Sequence, residues 1–296
     1  MAQLSDDCFA FGGELMKTEE ALRLLTERLE IVVEREDIDL RSAAGRILAA
    51  DIVSDRAVPP HDNAAVDGYA VRFDDLGENG ETRLTLAGRI AAGTQMDRPL
   101  GRGEAIRIFT GAPMPDSADT VLMQEDCRAE DGIVAIPPGI KQGANRRFAG
   151  EDVVPGARIL AAGTRLRPQE IGLAASIGRI SLPVYKPVRV ALFSTGDEVR
   201  DTGTDLPPGC IYDANRYSVT AALEQLGCTV DDLGILPDSY QIIRDTLANA
   251  ADRHDLIMTS GGVSTGEEDH VRAAIEALGK MHFWRLAIRP GRPLAL

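Results

Sequence analysis

From Val188 onward, short apolar runs alternate with helix-length segments, and that alternation restricts the second half of the chain to an α/β design. VRVALF (188–193) is a continuous apolar run, suited to a strand buried on both faces of a parallel sheet. After it the pattern predicts a helix over 216–226, a strand over 229–235, a helix over 240–253, a strand over 255–259, a helix over 267–278 and a strand over 281–288. Such spacing implies a largely parallel sheet flanked by helices. Ligands of these sheets sit beyond the carboxyl ends of the strands, so the loops after Phe193, Ile235 and Thr259 are where chemistry is expected.

The first half has a different texture. Residues 1–13 read as a loose polar leader, and Met16–Glu30 has helical periodicity, with Leu22, Leu25 and Leu29 on one face and Thr18 as the expected N-cap. Between 56 and 150, apolar segments such as IRIF (106–109) and TVLM (120–123) are broken by Gly and Pro, which predicts small β-rich structure. A helix is expected over Pro168–Ile177, and Pro183 and Pro187 bracket an expected linker. The 296 residues suffice for two or three domains, and a net charge of −14 excludes nucleic acid and a polybasic membrane anchor as partners. A small anion could bind only where local cations overcome that field. Four scattered cysteines without CxxC spacing, no apolar run of membrane length and no signal pattern lead to an expectation of a cytoplasmic protein.

Several segments carry groups suited to chemistry. In DNAAVDGYAV (62–71), two turn signals hold Asp62 and Asp67, and both can present carboxylates from a rigid backbone. SGGVSTGEED (260–269) places Gly261, Gly262 and Gly266 where a backbone can approach an anion at a helix start, although a Gly-rich turn alone is a weak signal. Glu198, Asp238 and Asp269 follow three consecutive predicted strands. Each alone reads as a turn or helix-start residue, but together they favour a Mg2+–phosphate site. In FWRLAIRPGRP (283–293), Arg285 and Arg289 share a face of an extended strand and Arg292 follows, which suggests oxyanion capture in an acidic protein.

These segments, with RIFTGAPMPDSADTVLMQED (107–126), GED (150–152), ALFSTGDEV (191–199) and IYDANR (211–216), resemble the motifs of the MoeA/gephyrin E-domain family in the family's order. The resemblance runs from about residue 14 to the end. It implies a MogA-like α/β domain over 187–296, preceded by an α+β linker and dimerisation domain (14–57 with 152–186) that carries an inserted β-rich domain (58–151). It also implies a molybdopterin molybdenumtransferase that uses molybdate and adenylylated molybdopterin with Mg2+ and releases AMP from clefts of a homodimer. Molybdopterin adenylyltransferase and molybdoenzymes would be transient partners. By matching motif, Asp67, Thr110, Asp152 and Glu198 would be catalytic. Gly261, Gly262, Ser264, Gly266, Arg285, Arg289 and Arg292 would bind substrate, with Asp238 and Asp269 on the metal.

The match also has departures. Arg285, Arg289 and Arg292 fall where the family generally has lysines, and a planar guanidinium is a poor substitute for a compact ammonium in a tight site. Phe148-Ala149 stands where relatives often carry basic residues. Family members continue beyond PGRP into a GLPGNP-type loop, further helices and a small β-domain, so a fragment or truncated product is expected. Two rival functions remain: a non-catalytic dimeric scaffold, and a molybdopterin adenylyltransferase, which residues 188–296 also resemble.

Overall fold

The computed structural model describes residues 15–261, 270–280, 283–288 and 293–295. The chain divides into two compact units, Asp37–Val184 and Met1–Glu36 with Tyr185–Leu296. Helix α1 (Thr18–Arg28) starts one residue earlier than a Thr18 cap would require, with Thr18 itself as its first residue. Lys17 occupies the N-cap position without a side-chain bond, while Glu19 and Glu20 in the first turn suit the positive end of the helix dipole. Strand β1 (Arg35–Asp39) then leads into the Asp37–Val184 unit.

That unit holds β2 (Ile52–Val53), β3 (Asn63–Ala64), β4 (Gly68–Val71), β5 (Thr82–Ile90), β6 (Glu104–Ile108), β7 (Thr120–Met123), β8 (Arg128–Glu130), β9 (Ile133–Ile136), β10 (Arg146–Arg147), β11 (Arg158–Leu160), α2 (Pro168–Ser176) and β12 (Ser181–Tyr185). A six-stranded sheet in the order β7-β4-β6-β5-β9-β8 forms its β-rich part, mostly antiparallel with β5 and β6 parallel. Alternation along β4 and β6 divides the side chains between two cores. Ala70, Ile106 and Ile108 enter one with Val121, and Tyr69, Val71 and Ala105 enter the other with Leu122 and Val134. A third core gathers Leu48, Ile52, Leu160, Leu166, Leu182 and Val184 from segments on either side of that sheet in sequence. Pro183 lies inside β12 rather than in a linker. The strand pairs with β1 and also bridges antiparallel to Leu48 through Val184, and the Pro183 carbonyl accepts from Ala49 N–H at 2.9 Å.

The other unit is α/β, as its alternation implies. It contains β13 (Arg189–Thr195), β14 (Val199–Arg200), β15 (Ile211–Tyr212), α3 (Ala214–Leu226), β16 (Thr229–Leu236), α4 (Tyr240–Ala251), β17 (Leu256–Ser260), α5 (His270–Leu278), β18 (Phe283–Arg285) and β19 (Pro293–Ala295). Three parallel strands pair in the order β16-β13-β17. The central strand β13 is buried from Val190 onward, as a continuous apolar run predicts. Phe193 packs there with Ile243, Leu247, Val271 and Ala274 from the helices. The strand expected over 281–288 is shorter. Its described part, β18, pairs antiparallel with β19 instead of extending the parallel sheet.

Candidate active-site residues

Asp67 stands at the foot of β4, and its position follows from the strand pairing around it. The Gly after it is needed for close approach rather than for a left-handed turn, because a Cβ on Gly68 would lie 1.8 Å from the Leu122 carbonyl oxygen of β7. Across the sheet, β6 delivers Thr110 into a turn whose Gly111 has φ of 78°. The Thr110 N–H and hydroxyl both donate to Asp67 Oδ1, at 2.8 and 2.7 Å. These bonds, assisted by the charge of Arg107, hold the Asp67 carboxyl below its ordinary range. Among the described residues Oδ2 has no partner, so one oxygen is anchored while the other stays available.

Asp62 has a different task. Its carboxylate accepts from Arg146 Nε and from Ala149 N–H at 2.9 and 2.7 Å, and β10 pairs with β3 beside it. Burial pushes this carboxyl up, but the Ala149 N–H and Arg146 outweigh burial and leave it below its ordinary range. The 146–149 segment is thereby stitched to the strand before Asp67. Asp152 binds Arg147 Nη2 through both oxygens, at 2.7 and 2.8 Å, and Glu151 adds a looser contact at 3.4 Å. The structure thus brings Asp67 and Thr110 together, and it places Asp152 as the partner of a guanidinium rather than as an isolated carboxylate.

In the α/β unit, Glu198, Asp238 and Gly261 lie at strand ends. Glu198 follows β13 and Asp238 follows β16, both exposed and, among the described residues, without side-chain partners. The Glu198 side chain folds over Gly196, whose φ is 136° and where an added Cβ would lie 2.7 Å from Glu198 Oε2. Gly261 follows β17 with φ of 111°, and a Cβ there would come 3.1 Å from the Thr195 carbonyl. The buried Thr259 hydroxyl nearby has no partner among the described residues. Gly262, Ser264, Gly266, Asp269, Arg289 and Arg292 lie outside the described residues, as does the side chain of Arg285. Among the described residues no group of three His, Cys, Asp or Glu could hold a metal ion.

One buried group in this unit escaped the sequence reading. Arg216, 3% exposed, sits in the first turn of α3. Its Nε donates to Asp213 at 3.0 Å, its Nη1 meets Asp232, and its Nη2 lies 2.9 Å from Asp201 without hydrogen-bond alignment. Asp232 foremost raises the Arg216 pKa above its ordinary value. The usable signal was Asp213, which caps α3 by accepting from Arg216 N–H at 3.1 Å and starts the helix two residues earlier than expected. The cluster fixes the 197–213 segment that carries Glu198. The described cysteines Cys127, Cys210 and Cys228 are free thiols, and burial pushes Cys127 up to about 11, which makes it a poor nucleophile.

Comparison with known proteins gives one consistent picture. Residues 16–178 match the MoeA N-terminal region (domain I and II), and residues 191–296 match the probable molybdopterin binding domain. A molybdopterin molybdenumtransferase of Haemophilus influenzae is 40% identical over 282 residues, covering 95% of this chain and 69% of the relative. One from Nostoc sp. is 38% identical, covering 92% and 63%. The crystal structure of the molybdopterin biosynthesis MoeA protein from Pyrococcus horikoshii superposes with a TM-score of 0.82 at 31% identity, covering 96% of this chain and 72% of that one. The chain spans about two thirds of the length of these curated relatives, between 63% and 69%. On both halves of its length, the chain belongs to the MoeA family.

Proposed function

We propose that this protein is a molybdopterin molybdenumtransferase, which places molybdenum from molybdate into adenylylated molybdopterin and releases AMP. The observation that carries the reading is Asp67, held on one oxygen by both donors of Thr110 and free on the other, in a chain that matches the MoeA N-terminal region and then a probable molybdopterin binding domain. A carboxylate fixed in this way is oriented before substrate arrives, which is how a positioned acid or base avoids reorganisation in the transition state. Arg147, gripped by Asp152, would present its remaining donors to an oxyanion. Glu198 would work from the strand-end loop of the α/β unit.

The finer parts of the proposal are Mg2+, the homodimer and a cytoplasmic location. Mg2+ commonly uses one or two carboxylates and takes its other ligands from water and substrate phosphate. Asp238 and Asp269 would supply the two carboxylates, and the metal would polarise phosphoryl oxygens. Gly261, Gly262, Ser264 and Gly266 would line the nucleotide side. Arg285, Arg289 and Arg292 would hold molybdate. Molybdopterin adenylyltransferase and molybdoenzymes would be the donor and acceptor partners. No described helix is long and apolar enough to cross a membrane.

The test is AMP release from adenylylated molybdopterin by the full chain, with and without molybdate and with and without Mg2+. Release that requires molybdate supports the transferase. Consumption of ATP in the presence of molybdopterin would instead mark an adenylyltransferase. Absence of both reactions would remove the catalytic reading from this chain.

A further inference from the structure

Beside Asp67 and Thr110, three strands line up an unusual row of side chains. Arg107 of β6 is the register partner of Tyr69 on β4 and of Arg89 on β5. Two guanidiniums at partnered positions repel each other, an arrangement that normally destabilises a sheet. An aromatic ring lies against both. The Arg89 guanidinium is 4.5 Å and the Arg107 guanidinium 4.9 Å from the Phe109 ring centre, and Arg107 is also 5.1 Å from that of Tyr69. The π faces offset part of the repulsion, and the stacking fixes both planar groups.

Charge compensation within the row is unequal. Arg107 donates to the Gly68 carbonyl at 3.3 Å and meets Gln124, and its field reaches Asp67 and Glu125. Arg89 is exposed and, among the described residues, makes no hydrogen bond or ion pair. A fixed, uncompensated guanidinium next to a second one is uncommon design for a chain of net charge −14. It provides the local cations that an oxyanion would need against the global field.

We infer that Arg89, Phe109 and Arg107 form a binding subsite for a phosphoryl oxyanion, with the anion engaged mainly by Arg89. Asp67 would repel an anion placed on its own side of Arg107, which favours the Arg89 side of the row. The guanidinium fork matches two oxygens of a tetrahedral phosphoryl group, and Phe109 keeps the fork from collapsing onto a carboxylate elsewhere. The biological use of this subsite, holding a phosphoryl group of the substrate, rests on the transferase reading; the binding itself does not.

The test is titration of the full chain, labelled with 15N at arginine, first with inorganic pyrophosphate and separately with molybdate. Single Arg89→Lys and Arg107→Lys variants assign the two Nε–Hε signals. Pyrophosphate should move both signals with one shared midpoint. Arg89→Gln should weaken binding read at Arg107 about tenfold, and Phe109→Leu should weaken it by a smaller factor. Both variants should keep the thermal midpoint of the parent, since Arg89 is exposed and Phe109 only half-buried. Signals that stay still, or that respond equally to chloride, would overturn the subsite. A response to molybdate without one to pyrophosphate would overturn its phosphoryl assignment. Failure of AMP release with intact arginine shifts would count against the transferase reading and leave the subsite standing.

Discussion

The carboxylates of the two units are prepared in opposite ways. In the Asp37–Val184 unit, Asp62, Asp67 and Asp152 are each tied to a donor from elsewhere in the unit, and Asp67 keeps one oxygen free. In the α/β unit, Glu198 and Asp238 project from strand ends and have no described side-chain partner. The first arrangement fixes geometry before any ligand arrives, which suits a group that must meet a reacting atom at a set distance. The second leaves charge uncommitted, which suits groups whose partners arrive with the substrate. The buried Arg216 cluster supplies rigidity to the second unit from below the loop rather than through the carboxylate itself.

This contrast can be broken most sharply at Asp67. Asp67→Asn keeps an oxygen for Thr110 but removes the charge, so the fold should hold while molybdate-dependent AMP release falls about 1,000-fold. An activity within a factor of two of the parent would show that the prepared carboxylate is structural. Next in size is Arg216→Met, which strips three carboxylates of their shared cation. Asp213 is almost fully buried while Asp201 and Asp232 are half exposed, so the expected loss is about 3 kcal/mol, read as a lower urea midpoint. A change below about 0.5 kcal/mol, the range of ordinary surface substitutions, would mean that the cluster contributes nothing net. Smaller again is Thr110→Val, which deletes the hydroxyl bond to Asp67 and spares the N–H bond. A cost of about 1 kcal/mol in transition-state stabilisation is expected, a several-fold drop in kcat/KM that Thr110→Ser should restore.

Legibility in the sequence followed the range of the interactions. The α/β alternation, the burial of β13 and the placing of Glu198 and Asp238 after their strands were readable, because each depends on local pattern and strand length. The helix over 168–176 was readable from its Pro start and periodicity. Long-range pairings were not. Nothing local says that Asp62 will meet Arg146, that Thr110 will meet Asp67, or that Arg89 and Arg107 will share a row, since each partnership is set by sheet register. Gly68 was read as a turn glycine because Asp-Gly is a turn signal, whereas its need arises from the backbone of another strand. The antiparallel pairing of β18 with β19 was not readable, because an apolar run carries no information about its pairing partner.

The smallest expected effect tests whether ion pairs at the opposite ends of the parallel strands belong to stability alone. Arg189 opens β13 and Asp255 stands just before β17, with two bonds from the guanidinium at 3.1 and 2.8 Å and one from the Arg189 N–H at 2.8 Å. The side-chain bonds from Arg189 are the largest cause holding Asp255 at about 2 against an ordinary 3.8. Because the folded value is depressed, this stabilisation is complete above the ordinary carboxylate range and disappears as pH falls through about 2. The urea midpoint of the parent should therefore exceed that of Asp255→Asn at neutral pH, and the gap should narrow steadily as pH falls below about 4. A gap independent of pH would assign the effect to packing rather than to charge. AMP release measured at neutral pH and permissive temperature should be the same in both proteins, since this pair sits at the amino ends of strands whose carboxyl ends carry Glu198 and Gly261. A loss of activity without a loss of stability would mean that the strand ends are coupled along their length, and the division between a prepared unit and an uncommitted one would have to be redrawn.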